Sequence, residues 1–201
     1  MVKVYHAPNT RALRVLWTLE ELGAPYEPVK VQFPPRQRQP DYLAINPTGS
    51  LPAMVDGAVT LTESLAICEY LNDKHGGDLA VAPGEAARAD YVQWLFFGEA
   101  SLSPPLGNLV RIARAEQKGP DLEAFGEQAR QTYAARLAGL EARLDGREYV
   151  ADGRFTLADI SNAYPLHLAG LLGLEAVGPN VAAYWERLQA RSAFQRAKAV
   201  V

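Results

Sequence analysis

The segment GSLPAMVDG, residues 49–57, contains the first residues that could bind a small polar ligand. It carries Pro52 where an alternating apolar pattern predicts the start of a strand. Proline has no N–H group for a sheet hydrogen bond, which predicts that the backbone of Leu51 has no partner in a neighbouring strand. If the Leu51–Pro52 peptide is cis, the chain turns sharply and offers the Leu51 N–H and C=O groups to an extended, peptide-like ligand.

A second polar pair, Glu63 and Ser64, follows at the predicted start of a helix. Free N–H groups and the positive end of the helix dipole attract a carboxylate at such a point, and Glu63 can accept an ammonium group. Together these two polarities fit the head group of an amino acid. The same residues also fit a plain helix start with an exposed glutamate, and the sequence leaves both interpretations open.

Several common kinds of site are absent from the sequence. It has no Gly-rich dinucleotide or phosphate loop, no nucleophile elbow and no HExxH zinc motif. His6, His75 and His167 are too far apart in sequence to form a metal-binding motif, so we predict no metal site. Cys68 is the only cysteine, and thiol chemistry would therefore need a thiol supplied by a ligand.

The composition is typical of a globular protein with a small-molecule partner. The chain has 201 residues, of which 48% are hydrophobic and 21% are charged, and its formal net charge is −3. This length suits two small domains, and the acidic balance argues against a nucleic-acid partner. Neither a signal peptide nor an apolar run of about 18 residues is present, so we expect a cytoplasmic protein with no membrane partner.

The predicted secondary structure around these residues falls into two halves. Up to about residue 80 the pattern predicts βαβ and then ββα, with a polar loop at 34–40 and a hairpin at Asp56-Gly57. Beyond a linker every pattern is helical, including one last helix over 180–193, and Pro104-Pro105 is expected to bend or break the first long helix. We predict an α/β domain at 1–78 and an all-α domain at 85–201.

Over essentially the whole chain the sequence resembles cytosolic glutathione S-transferases. The resemblance rests on NPTGSLPAMVDGAVTLTESLAICEYL (46–71) and FTLADISNAYPL (155–166). It implies a thioredoxin-like N-terminal domain that binds glutathione and an all-α helical-bundle domain with a hydrophobic substrate pocket. WLFFGEASLSPPL (94–106) resembles bacterial and fungal members, and the class, theta-like or nu-like, is left open.

The resemblance implies a glutathione site. Leu51 and Pro52 correspond to the residue and the cis-proline that pair with the cysteinyl backbone of glutathione. Glu63 and Ser64 correspond to the acid–serine pair that holds its γ-glutamyl group. Many relatives have lysine at the place of Ser50, so this chain departs from the family pattern there.

The glycine carboxylate of glutathione must then be bound by another group. Gln37 and Arg38 in the polar loop are the candidates, ahead of Arg36, because a guanidinium or an amide can bind a carboxylate. A basic loop that is merely solvated is the alternative interpretation.

The group that activates the thiol of glutathione is predicted at the start of the first helix. Counted back from Arg14, Thr10 takes the place of the serine of theta-like members, and Asn9 that of zeta-like members. We predict Thr10 as the catalytic residue, because a hydroxyl can donate to a thiolate and helix N-terminal amides add to its effect. Tyr5, the amides alone, or a Thr10 that only caps the helix remain alternatives.

The resemblance also implies that the helical half binds the second substrate, with Asn108 and Arg111 at the rim of the pocket. Aromatic residues on its first helix, Tyr91 and Trp94 among them, are expected in the core or in a dimer interface. The function that the resemblance implies is transfer of the glutathione thiolate to a hydrophobic electrophile, by a homodimer. A non-catalytic binding module of the same fold and a glutathione-dependent isomerase are the alternatives.

Overall fold

The computed structural model describes residues 1–116, 119–174 and 178–200, and the chain divides into two compact units. The first unit comprises Met1–Ala80 and Gln189–Val201, and the second comprises Val81–Leu188. The sequence analysis grouped all residues after 85 together, whereas the structure places the end of the chain in the first unit. Helical periodicity alone does not say which neighbour a helix packs against.

The first unit is built on a four-stranded sheet with the strand order β2-β1-β3-β4. The strands are β1 (Val2–His6), β2 (Tyr26–Lys30), β3 (Ala53–Asp56) and β4 (Val59–Thr62). β1 and β2 run parallel, whereas β3 pairs antiparallel with both β1 and β4. The predicted βαβ-ββα order is thereby confirmed. Gly57, with a φ of 60°, lies in the hairpin turn between β3 and β4.

Helices account for most of the remaining described chain. In order they are α1 (Ala12–Leu22), α2 (Pro35–Arg38), α3 (Ser64–Lys74), α4 (Arg88–Phe96), α5 (Ser103–Arg114), α6 (Pro120–Arg143), α7 (Leu157–Leu171), α8 (Pro179–Gln189) and α9 (Ser192–Val200). A 3₁₀ helix at Pro40–Ala44 and a π-helical turn at Phe97–Leu102 complete the set. No described helix is long and apolar enough to cross a bilayer.

Two local expectations were wrong. The stretch 34–40 was expected to be a loop, but it contains α2, which begins at Pro35 because proline is well suited to the first position of a helix. The single helix expected over 180–193 is two helices, α8 and α9.

The last helix completes the core of the first unit by packing against α1. The ring of Phe194 in α9 meets that of Trp17 edge-on, with 4.9 Å between the ring centroids. Arg191 donates to both carboxylate oxygens of Glu21 at 2.6 and 2.8 Å. The polar and apolar contacts together hold the chain end beside α1.

In the second unit the π-helical turn joins α4 to α5. Gly98 lies in this turn, where a Cβ would stand 2.5 Å from the backbone of Ser161. Pro104 and Pro105 occupy the first turn of α5, where a missing N–H costs little, so the irregularity comes before them. Tyr91 and Trp94 are buried in the chain itself, which confirms that they are core residues.

Candidate glutathione site

The candidate site lies at one end of the sheet in the first unit. Tyr5 of β1 pairs with Ala53 of β3, and Ala53 pairs with Thr62 of β4. The loop after β1, the residue before β3 and the residue after β4 are therefore neighbours in space. Leu51 and Ala7 also belong to one buried apolar cluster.

The Leu51–Pro52 peptide bond is cis, which confirms the expectation from the sequence. Strand β3 begins only at Ala53, and neither the N–H nor the C=O of Leu51 has a hydrogen bond within the described ranges of the chain. Leu51 is 8% exposed, so its side chain contributes to the core while its backbone lies at the end of the sheet. The main chain here resembles a strand that lacks its neighbour.

The loop before Leu51 is held by two buried side chains. Tyr42 Oη donates to the Ser50 carbonyl at 2.7 Å, and Asn46 Nδ2 donates to the same oxygen at 2.8 Å. Burial raises the pKa of Tyr42 to about 12, so its hydroxyl remains a donor at neutral pH. Sequence reasoning missed both residues, although the Asn-Pro pair at 46–47 is a turn signal that could have indicated Asn46.

The predicted pair Glu63 and Ser64 stands at the start of α3. Glu63 is exposed and has φ 64° and ψ 105°, a strained backbone for a residue with a side chain, and such strain is common at functional sites. Ser64 is buried and is the first residue of the helix. The structure thus places an exposed carboxylate directly before a buried hydroxyl and the free amides of a helix end.

A buried cation that sequence reasoning missed lies beside Ser64. Arg14 of α1 is fully buried, and its Nη1 donates to Ser64 Oγ at 3.2 Å. Because Ser64 Oγ is the acceptor in this bond, its own proton can point toward a ligand. The guanidinium and the helix dipole both favour an anion at this point. The available signal was that Arg14 is the only charged residue in the largely apolar stretch 12–19, which is buried throughout.

Thr10 lies in the loop between β1 and α1. Its Oγ1 donates to the Ala7 carbonyl at 2.7 Å, and the residue is mostly buried. The cap position of α1 is Arg11, and no side chain caps this helix, so the capping role considered for Thr10 is not observed. Neighbouring Asn9 is exposed and has a φ of 59°. In this structure the Thr10 proton therefore points to the backbone.

The polar residues of α2 lie close to the loop before Leu51. Arg36 Nη2 donates to the carbonyls of Pro47 at 2.8 Å and Thr48 at 3.2 Å, and so ties α2 to that loop. Gln37 and Arg38 are exposed on the same short helix. Arg36 thus has a structural contact, which leaves Gln37 and Arg38 as the solvent-facing candidates for a carboxylate.

Asn108 and Arg111 lie on α5 in the second unit, whereas the residues described above belong to the first unit. Asn108 is half-buried and Arg111 is exposed. The second unit contains a cavity of about 200 Å³ that neither residue lines. Its walls are Leu109, Ile112, Ala113, Arg130, Leu172 and Leu174.

The chain itself offers little thiol or metal chemistry. Cys68 is buried, and burial raises the pKa of its thiol to about 12, so it is not a nucleophile at neutral pH. His6 is buried, and desolvation together with nearby Lys30 lowers its pKa, which keeps the ring neutral. Among the residues that the structure describes, no three histidine, cysteine or acidic side chains form a cluster that could hold a metal ion.

Comparison with known proteins extends over the whole chain. Residues 1–73 match the family model of the glutathione S-transferase N-terminal domain, and residues 106–192 match that of the C-terminal domain. The chain is 35% identical to glutathione S-transferase 3 of Zea mays over 211 residues, covering 100% of this chain and 94% of the relative.

Solved structures agree with these matches. A glutathione transferase from Methylococcus capsulatus has a TM-score of 0.87 at 28% identity, covering 99% of this chain and 98% of that one. A sphingomonad glutathione S-transferase, crystallised with glutathione, has a TM-score of 0.84 at 29% identity, covering 98% and 97%. With both family domains present and the fold shared along its length, the chain belongs to the glutathione S-transferase family.

Proposed function

We propose that this protein is a glutathione transferase that joins the thiolate of glutathione to a hydrophobic electrophile. The observation that carries the proposal is the unpaired backbone of Leu51 beside the strained start of α3. The cysteinyl backbone of glutathione pairs with the Leu51 N–H and C=O like an added strand. Its γ-glutamyl carboxylate lies on the Ser64 hydroxyl and the α3 amides, and Glu63 accepts the ammonium group.

The remaining groups of the tripeptide have partners nearby. Arg38 or Gln37 binds the glycine carboxylate from α2. The thiol lies at the start of α1, where Thr10 and the free amides of the helix stabilise the thiolate. We infer Thr10 as the hydroxyl donor; to donate, it rotates its O–H away from the Ala7 carbonyl.

The transfer step forms one carbon–sulfur bond. The thiol first loses its proton to water, and the thiolate sulfur then supplies the electron pair of the new bond. An aryl halide releases halide, an epoxide ring opens to an alkoxide that water protonates, and an enone takes a proton from water at the carbon next to its carbonyl. We assign binding of the electrophile to the helical half, with Asn108 and Arg111 as the polar residues of its pocket.

One observation favours a second candidate, a glutathione-binding module without chemistry. The Thr10 hydroxyl already donates its proton to the Ala7 carbonyl 2.7 Å away. It therefore stabilises the thiolate of a neighbouring glutathione less than a free hydroxyl would. Turnover of an activated aryl halide with glutathione separates the two candidates, since only the transferase forms the thioether.

Glutathione binding is tested by calorimetry on Ser64→Ala. Loss of a charge-assisted hydrogen bond of about 1.5 to 3 kcal/mol predicts affinity weaker by about 10- to 100-fold. Ser192→Ala is the matched control, because Ser192 is also the first residue of a helix in the first unit. A wild-type protein that neither binds glutathione nor turns over any aryl halide, epoxide or enone would refute the transferase assignment.

We also propose that the protein is a cytoplasmic homodimer. Reduced glutathione is maintained in the cytosol, where the proposed reaction needs it. Phe96 of α4 is 60% exposed in the single chain, and we propose that a second copy covers it. Sedimentation equilibrium should give the mass of a dimer for the wild type and that of a monomer for Phe96→Asp.

A further inference from the structure

We infer that Tyr42 and Asn46 are positioning residues, which aim the Leu51 N–H group at the backbone of glutathione. The inference rests on the proposed function, in which that N–H binds the cysteinyl part of the ligand. Neither residue contacts Leu51 through its own hydrogen bond. Both act through the Ser50 carbonyl, which belongs to the same peptide unit as the Leu51 N–H.

The geometry of the peptide unit links the carbonyl to the N–H. The cis bonds of the described chain are Phe33–Pro34 and Leu51–Pro52, so the Ser50–Leu51 bond is trans. A trans peptide is planar, and its C=O and N–H point in opposite directions. Holding the Ser50 oxygen in place therefore sets the direction of the Leu51 N–H.

The Ser50 oxygen is held by as many donors as it has lone pairs. Tyr42 Oη lies at 2.7 Å and Asn46 Nδ2 at 2.8 Å, so both acceptor sites are occupied. A carbonyl bound in this way cannot swing without losing a hydrogen bond. The peptide is oriented before any ligand arrives, which lowers the entropy cost of binding.

The two donors form one rigid element. Tyr42 is 3% exposed and Asn46 is 1% exposed, and the Asn46 N–H donates to the Tyr42 carbonyl at 3.0 Å. The Tyr42 ring packs on that of Tyr5, with 5.7 Å between the centroids. Asn46 Oδ1 accepts from the N–H and hydroxyl of Thr48 at 3.1 and 2.9 Å, which fixes the rotation of the Asn46 amide.

These bonds also make the Leu51 N–H a stronger donor. Donation to a carbonyl polarises its peptide, and chains of such bonds strengthen one another by roughly 10 to 30% per bond. The ligand backbone makes this contact both before and during the reaction. Loss of the orientation should therefore raise KM for glutathione and leave kcat nearly unchanged.

Tyr42→Phe tests the inference, because it removes one hydroxyl and keeps the ring. Without that bond the peptide is free to leave the binding orientation, which predicts a KM for glutathione raised by about 3- to 10-fold. Tyr26→Phe is the matched control in the same unit, since Tyr26 Oη donates to Glu20 Oε1 at 2.8 Å outside the site. It should leave KM within about twofold of wild type.

A second variant removes the other donor. Asn46→Asp keeps the size of the side chain and its acceptor oxygen but replaces the N–H donor with an oxygen that repels the Ser50 carbonyl. We expect it to raise KM for glutathione at least as much as Tyr42→Phe. If it also unfolds the protein, Tyr42→Phe still decides the question.

A readout without ligand separates this inference from the proposed function. The NMR resonance of the Leu51 amide in the free protein should move in Tyr42→Phe and stay in Tyr26→Phe. An unmoved Leu51 resonance, or an unchanged KM, overturns the positioning role while the transferase assignment stands. A wild-type protein that does not bind glutathione in calorimetry refutes the proposed function, and the assignment of the ligand falls with it.

Discussion

Replacing Thr10 by valine removes a hydroxyl from the start of α1 without changing the shape of the side chain. In the proposed mechanism this hydroxyl donates to the glutathione thiolate. A charge-assisted hydrogen bond contributes about 2 kcal/mol, but the hydroxyl must first give up its bond to the Ala7 carbonyl, worth about 1 kcal/mol. The net stabilisation of the thiolate by Thr10 is therefore about 1 kcal/mol.

That difference predicts a measurable change in the thiol pKa. One pKa unit corresponds to about 1.4 kcal/mol, so Thr10→Val should raise the pKa of bound glutathione by about 0.7 units. At pH values below the pKa of the bound thiol in both enzymes, the thiolate fraction in Thr10→Val should be about fivefold lower than in the wild type. The kcat/KM for the electrophile should fall by the same factor. Above both values the rates should converge, because the thiol is then ionised in either enzyme.

The assay is ultraviolet difference absorbance of the thiolate as a function of pH, together with the pH profile of kcat/KM. Thr10→Ser, which retains a hydroxyl, is the control and should remain near the wild type. An identical thiol pKa in the valine variant and the wild type would refute the role of the hydroxyl. Activation would then rest on the helix amides, whose dipole supplies about 0.3 to 1 kcal/mol.

The remaining predictions concern stability and reactivity. Cys68 should resist a disulfide reagent until the protein unfolds, because burial raises its pKa to about 12; rapid labelling of the native protein would contradict this. Burial also raises the folded-state pKa of Asp159 to about 6. The contribution of Asp159 to the stability of the folded protein is therefore present at low pH and is lost as pH rises through 6. The difference in unfolding free energy between the wild type and Asp159→Asn should therefore decrease by about 2 kcal/mol from pH 4 to pH 7 in urea titrations. An increase in that difference over the same range would contradict the prediction. Gly98→Ala should cost about 1 to 3 kcal/mol of stability, whereas Gly107→Ala in α5, whose Cβ meets nothing within 4 Å, should be neutral or stabilising.

Much of the first unit could be predicted from the sequence because its signals are local. Alternation of apolar residues indicated the strands, Asp56-Gly57 indicated the hairpin, and Pro52 at a strand start indicated the interrupted pairing of Leu51. Each of these signals depends on residues a few positions apart, whose backbone preferences act whatever the rest of the chain does. The capping box of α7 is local in the same way, since the side chains of Thr156 and Asp159 each bond the other's backbone, three residues apart.

Which partners these local elements meet depends on how the chain packs in three dimensions. Arg14 and Ser64 are 50 positions apart, and their hydrogen bond depends on how α1 packs against α3. The direction of the Thr10 hydroxyl likewise depends on where the Ala7 carbonyl lies after β1 ends. Local patterns therefore predicted most elements of the first unit and the backbone of the candidate site. Packing decided the donors and charges around that site, because such contacts arise between residues that no short pattern connects.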